Sequence, residues 1–112
     1  MQRSHLGEFE ELVLLIVASR QGDAYGVLVM KELAEQANRK VNISAVHAAL
    51  RRLEDKGYVK SSWSEASEKR GGRRKRIFSM SSSGVRALEK NRDLRIKLWN
   101  NIPGLSTNFN FS

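Results

Sequence analysis

The residues with the most evident chemistry are cations. Lys69 to Arg76 reads KRGGRRKR, with no acid inside the run. Gly71 and Gly72 permit backbone angles that other side chains forbid, so this stretch can bend while Arg73, Arg74 and Lys75 project from its far arm. Groups of that charge and density suit phosphate oxygens, whose counterions they displace on binding. A lone basic run is weak evidence. Upstream, however, a helical pattern after Ser44 presents Ser44, His47, Ala48, Arg51, Arg52 and Asp55 on its outer side. Small residues near the start of a helix allow close approach to base edges, and arginines one turn on reach guanines or phosphates. Taken alone, two arginines on an outer face mark an ordinary solvated helix. A basic hairpin directly after a small-faced helix points instead to a reading helix with a wing beside it. On that reading Ser44, Ala45, His47, Ala48 and Arg51 are candidates for base contact. Arg52, Lys69, Arg70, Arg73, Arg74 and Lys75 are candidates for phosphates or the minor groove.

These side chains need elements to hold them. Val46, Ala49, Leu50 and Leu53 recur at helical spacing and share the inner face of the reading helix, which Ser44 can cap and Gly57 closes. Tyr58 to Trp63 reads as a strand and Arg76 to Ser81 as its return, with Val59, Phe78 and Met80 facing the helices. Glu8 to Arg20 forms a first helix; Leu14 and Leu15 make its middle apolar nearly all round, which predicts burial on several sides. Gly22 stops it, and Asp23 is a candidate cap for a second helix from about Tyr25 to Asn38. Arg39 to Asn42 leads into the reading helix and is a candidate short strand pairing with the hairpin. Met1 to Leu6 reads as a frayed arm. After Ser81 a fourth helix, capped by Ser81 or Ser82, runs to about Asn101, where Pro103 and Gly104 stop it. Its apolar residues lie on two sides: Ala87, Leu94, Leu98 and Ile102 on one, Val85, Leu88, Ile96 and Trp99 on the other. A terminal helix with two apolar sides needs two surfaces to bury them, its own domain and a second copy of the chain. The expected dimer contacts are Leu88, Leu94, Leu98, Trp99 and Ile102.

The predicted fold class is therefore mostly α with a small β-hairpin: a winged helix-turn-helix over 1–81, a dimerisation helix over 82–102 and a flexible tail over 103–112. At 112 residues the chain is one domain with a modest core, near the size at which a partner subunit helps. Its formal charge is +8, which suggests a polyanionic partner without choosing among DNA, RNA and anionic membrane. The distribution is more informative: residues 1–40 carry net −1, residues 51–76 net +6 and residues 82–112 net +3. Without cysteine, disulfides and thiolate metal sites are excluded. Neither a signal peptide nor a membrane span is legible, so a cytoplasmic protein is expected.

The sequence resembles the PadR-like transcriptional regulators over roughly Leu6 to Leu88. The resemblance lies in LGEFEELVLLIV (Leu6 to Val17), AYGV (Ala24 to Val27), AVHAALRRLEDKGYV (Ala45 to Val59), GGRRKRIF (Gly71 to Phe78) and SSSG (Ser81 to Gly84). It implies a homodimeric repressor on a palindromic operator, with the third helix in the major groove and the wing on the minor groove or backbone. This chain has His47 where the family commonly has tyrosine in the reading helix, and Ile77 and Phe78 where the hairpin often carries two tyrosines. Short members of the family dimerise through the last helix, and some stack flat aromatic ligands on a tryptophan there. Trp99 is similarly placed and is the candidate effector contact, although an interface anchor is the more ordinary role for such a residue.

Enzyme chemistry finds no support. His5 and His47 lack metal-site spacing, and no cofactor is expected. Gly71 and Gly72 lack the Gly-Lys-Ser/Thr ending of a nucleotide loop. The acid pairs Glu10–Glu11 and Glu54–Asp55 are adjacent in helices and diverge. The partners expected are double-stranded DNA, a second copy of the chain and a candidate small-molecule effector at the Trp99 interface. An alternative of another class is a winged-helix adaptor that binds protein rather than DNA.

Overall fold

The computed structural model describes residues 5–64 and 74–104. Four helices and one hairpin follow in the order α1 (Glu8–Ser19), α2 (Gly26–Gln36), α3 (Ile43–Asp55), β1 (Val59–Trp63), β2 (Arg76–Met80) and α4 (Ser82–Asn100). The first three helices enclose the core, where Val13, Leu14, Val17, Val29, Leu33, Val46, Leu50 and Leu53 are fully or almost fully buried. Each such side chain contributes about 1.5–3 kcal/mol by leaving water. Leu6 belongs to this cluster at 5% exposure. Leu6 therefore does not belong to the frayed arm expected over Met1 to Leu6, because an apolar side chain just ahead of α1 finds the core; Met1 to Ser4 lie outside the described residues. Leu15 departs the other way, at 47% exposure. The core covers one broad face of α1, and Leu15 falls outside it.

Asn42, not Ser44, caps α3: its side-chain oxygen accepts from the Ala45 amide at 2.8 Å. Ile43 already lies in the helix, so Ser44 sits within the first turn and stays exposed. Gly57, at φ +79°, ends the helix in a conformation other residues rarely adopt, and the Tyr58 amide donates back to the Leu53 carbonyl at 2.9 Å. Asp23 does not cap α2. The helix starts at Gly26, too far on for that carboxylate, which faces Arg20 at 3.6 Å instead.

The hairpin is antiparallel, with Val59 opposite Met80, Ser61 opposite Phe78 and Trp63 opposite Arg76. Its outside partner is Ala24, whose carbonyl accepts from the Phe78 amide at 2.7 Å. The expected strand at Arg39–Asn42 does not form. Asn38 takes a left-handed φ of +53°, the Arg39 amide turns back to the Leu33 carbonyl at 2.9 Å, and Asn42 is committed to capping.

Of the two caps expected for α4, Ser81 is the one that forms, accepting from the Gly84 amide at 3.1 Å while its hydroxyl donates to the Gly57 carbonyl at 2.5 Å. A methyl group at Gly84 would lie 2.3 Å from the Tyr58 carbonyl oxygen, so this close approach requires glycine. Ala87 and Leu88 pack against the core. Beyond them Leu94, Ile96, Leu98, Trp99 and Ile102 are 40–55% exposed. No helix among the described residues is long and apolar enough to cross a membrane. The predicted tail from residue 105 onward lies outside the described residues.

Candidate nucleic-acid interface

The outer face of α3 is open as the sequence predicts. Ser44, His47, Ala48, Arg51 and Arg52 are exposed, and Ala45 is half-buried at their edge. The face is carried close over the start of α2. A Cβ added at Gly26 would stand 2.5 Å from His47 Nε2 and 2.8 Å from its Cδ2, so the imidazole rests where glycine leaves room.

The hairpin joins the same surface. A cleft of about 280 Å³ is lined by His47, Arg51 and Glu54 of α3 and by Arg76 and Phe78 of β2. Across it Arg76 Nη2 donates to Glu54 Oε1 at 3.1 Å and more weakly to Oε2 at 3.4 Å. The Ser61 hydroxyl donates to Glu54 Oε2 at 2.6 Å and accepts from Arg76 Nε at 3.0 Å. The guanidinium also lies 5.9 Å from the Trp63 ring centre and 5.7 Å from that of Phe78, a range in which cation–π attraction contributes. Of the other cations assigned to the wing, Arg74 is exposed, whereas Lys75 places its ammonium 4.0 Å above the Tyr25 ring. Lys75 and Ser64 hold each other, with the Ser64 amide donating to the Lys75 carbonyl at 2.8 Å and the Lys75 amide to the Ser64 side-chain Oγ at 2.9 Å. Lys69, Arg70 and Arg73 lie outside the described residues.

Arg52 turns toward α1. Its Nε donates to Glu10 Oε2 at 2.6 Å, while Lys56 Nζ donates to Glu10 Oε1 at 2.5 Å and to the His5 carbonyl at 2.5 Å. Glu10 is 7% exposed. Burial alone would raise its pKa, but hydrogen bonds from Lys56, Arg52 and the Gly7 amide, with the Lys56 charge, hold the carboxyl below the usual glutamate range. Any use of Arg52 on phosphate must therefore compete with this carboxylate. Glu11 points the other way and pairs with Arg95 of α4 at 3.0 Å. Beside that pair a groove of about 410 Å³ separates α1 from α4, with Leu15, Leu88 and Ile96 on its apolar side. Leu88 is half-buried there, whereas Leu94, Leu98 and Trp99 lie along the exposed outer length of α4 and Ile102 is exposed just beyond its end.

Residue reasoning missed Glu54, Ser61 and Arg76 as a unit, Tyr25 as a platform for Lys75 and Gly26 as the seat of His47. Only Gly26 gave a signal in the sequence, as a glycine opening a helical pattern. The others are set by pairings across 7 to 50 residues that no local pattern records.

The model of the PadR-like transcriptional regulator family matches residues 13–90. No curated protein matches the sequence. Among solved structures, the fold is similar to a PadR family transcription regulator from hypervirulent Clostridium difficile R20291, with 28% identity over 84% of this chain and 96% of that one and a TM-score of 0.66. It is also similar to a PadR family regulator from Eggerthella lenta DSM 2243, at 22% identity over 81% and 79% of the two chains and a TM-score of 0.64. A third likeness is to Bacillus subtilis PadR in complex with operator DNA, at 16% identity and a TM-score of 0.63, covering 74% of this chain but 45% of that one. The last two likenesses bear on the fold alone. The fold is thus a winged helix, and the family's members are transcription factors, not enzymes. With the family model spanning most of the described helices and the whole hairpin, this chain belongs to the PadR-like family of transcriptional regulators.

Proposed function

We propose that the chain is a sequence-specific DNA-binding repressor that works in the cytoplasm as a homodimer on a palindromic operator. Residues 1–81 form its DNA-binding domain and 82–102 its dimerisation helix, with 103–112 a tail. The observation that supports this most is the cleft between α3 and β2, because in it His47 and Arg51 of α3 stand beside Arg76 of β2, the strand into which the basic run leads. Ser44, Ala45, His47, Ala48 and Arg51 then meet base edges in the major groove. Arg52, Lys69, Arg70, Arg73, Arg74 and Lys75 meet phosphates or the minor groove. Leu88, Leu94, Leu98, Trp99 and Ile102 meet the second copy. Neutralising Arg73 and Arg74 weakens binding to every sequence and lowers the magnitude of the salt slope by about one to two units, whereas replacing His47 changes which sequence is preferred. Gel shifts on fragments selected from a random DNA pool read both effects. Variants that both behave as wild type overturn the assignment.

A second reading concerns regulation. Trp99 is half-exposed among the apolar residues of α4, a setting in which an indole at a dimer interface can stack an aromatic or cationic compound. Quenching of tryptophan fluorescence that is lost in Trp99→Ala and kept in Trp63→Ala supports it. Quenching lost in Trp63→Ala instead removes Trp99 from the role.

A further inference from the structure

A carboxylate stands in the middle of the cationic surface. Glu54 follows His47 by seven positions and Arg51 by three, so it continues their stripe along α3 and shares their cleft. A free carboxylate at that place would repel phosphate. Here both of its oxygens are engaged by protein donors, one by Arg76 and the other by Ser61 with a weaker second bond from Arg76. Arg76 in turn donates to Ser61, closing a three-membered ring of contacts whose corners come from α3, β1 and β2. The surface position keeps each of these bonds energetically small. Their geometric effect is larger, because Arg76 is the first residue of β2 and directly follows Arg74 and Lys75.

We propose that Glu54 is a positioning residue for DNA recognition: through Ser61 and Arg76 it fixes the angle between the basic wing and the reading helix. Discrimination between sequences depends on it without its touching DNA. The inference rests on the DNA-binding reading above. It differs from a direct role, in which the carboxylate would accept from a cytosine amino group, because both oxygens already have partners.

The test uses the full chain with its selected operator and a scrambled duplex of equal length, titrated at several salt concentrations. Glu54→Ala is expected to lower the ratio of operator to scrambled affinity about tenfold. Binding to the scrambled duplex stays the same or strengthens, and the salt slope does not fall, because Arg76 is released toward phosphate. Glu54→Gln, which keeps the acceptor for Ser61, retains most of the ratio. Ser61→Ala, which opens the ring from the other side without changing charge, lowers it. Glu54→Ala combined with Arg76→Ala loses no more than the worse single change, since both act through one contact. Thermal melts of all variants stay close to wild type, which separates positioning from unfolding. An unchanged ratio in Glu54→Ala beside a discriminating wild type overturns this inference alone. So does a loss confined to one base pair, which assigns a direct contact. A wild type that does not discriminate overturns the DNA-binding reading as well.

Discussion

A methyl group at position 26 would meet the end of the His47 side chain rather than backbone, with Ile43 Cδ1 next at an ordinary 3.5 Å. An imidazole can swing aside, and alanine in place of glycine favours a helix by up to about 1 kcal/mol. Gly26→Ala should therefore leave stability within about 1 kcal/mol of wild type while altering operator preference in the same positions as His47→Ala. Melting curves together with fragment selection check this, and a loss above about 2 kcal/mol would mean that the helices themselves had been forced apart. Glu10 makes the opposite case, a buried residue of α1 that holds Arg52 and whose main effect falls on stability. Replacing it by glutamine removes the charge that Arg52 and Lys56 share and should cost about 2 kcal/mol at neutral pH. Its carboxyl is depressed in the folded chain, so its stabilisation is complete above the ordinary unfolded value of about 4.3. That stabilisation is lost as pH falls through the lower folded value. Melts from pH 7 to pH 3 should show the gap between wild type and Glu10→Gln closing at the acid end; a constant gap would reject the ion-pair account.

The helices and the hairpin were legible because their signals are local. The inner stripe of α3, the stop at Gly57 and the cap at Ser81 can all be read within a few residues. The cap of α3 was misplaced because Asn42 and Ser44 are both good cap residues, and only the inclusion of Ile43 in the helix decides between them. The strand expected before α3 failed for a similar reason. A β-bridge forms where distant chain arrives, and Ala24 arrives beside Phe78 from the other side of α2. At the candidate site the small, open face of α3 was legible, since residue type and helical spacing suffice for it. The partners that orient Arg52 and Arg76 were not, because Arg52 reaches a carboxylate 42 residues away and Arg76 one 22 residues away.

The assembly predicted for this chain follows from what α4 leaves uncovered. Leu94 and Leu98 are each a little over half exposed, so charged replacements there should spare the fold of one copy and break the pairing of two. Sedimentation of Leu94→Glu combined with Leu98→Glu should give a monomer with an unchanged far-ultraviolet spectrum and much weaker operator binding. A dimer surviving that change would place the interface elsewhere. The direction in which α4 leaves the domain is fixed where Gly84 meets the Tyr58 carbonyl. From Gly84 to Asn100, the end of α4, a rise of about 1.5 Å per residue carries the helix about 24 Å from that fulcrum. A tilt of about 10° there swings its far end by about 4 Å, more than one base-pair step of duplex. The absence of a single methyl group thus bears on how far apart the two copies of the proposed dimer would hold their grip along the groove.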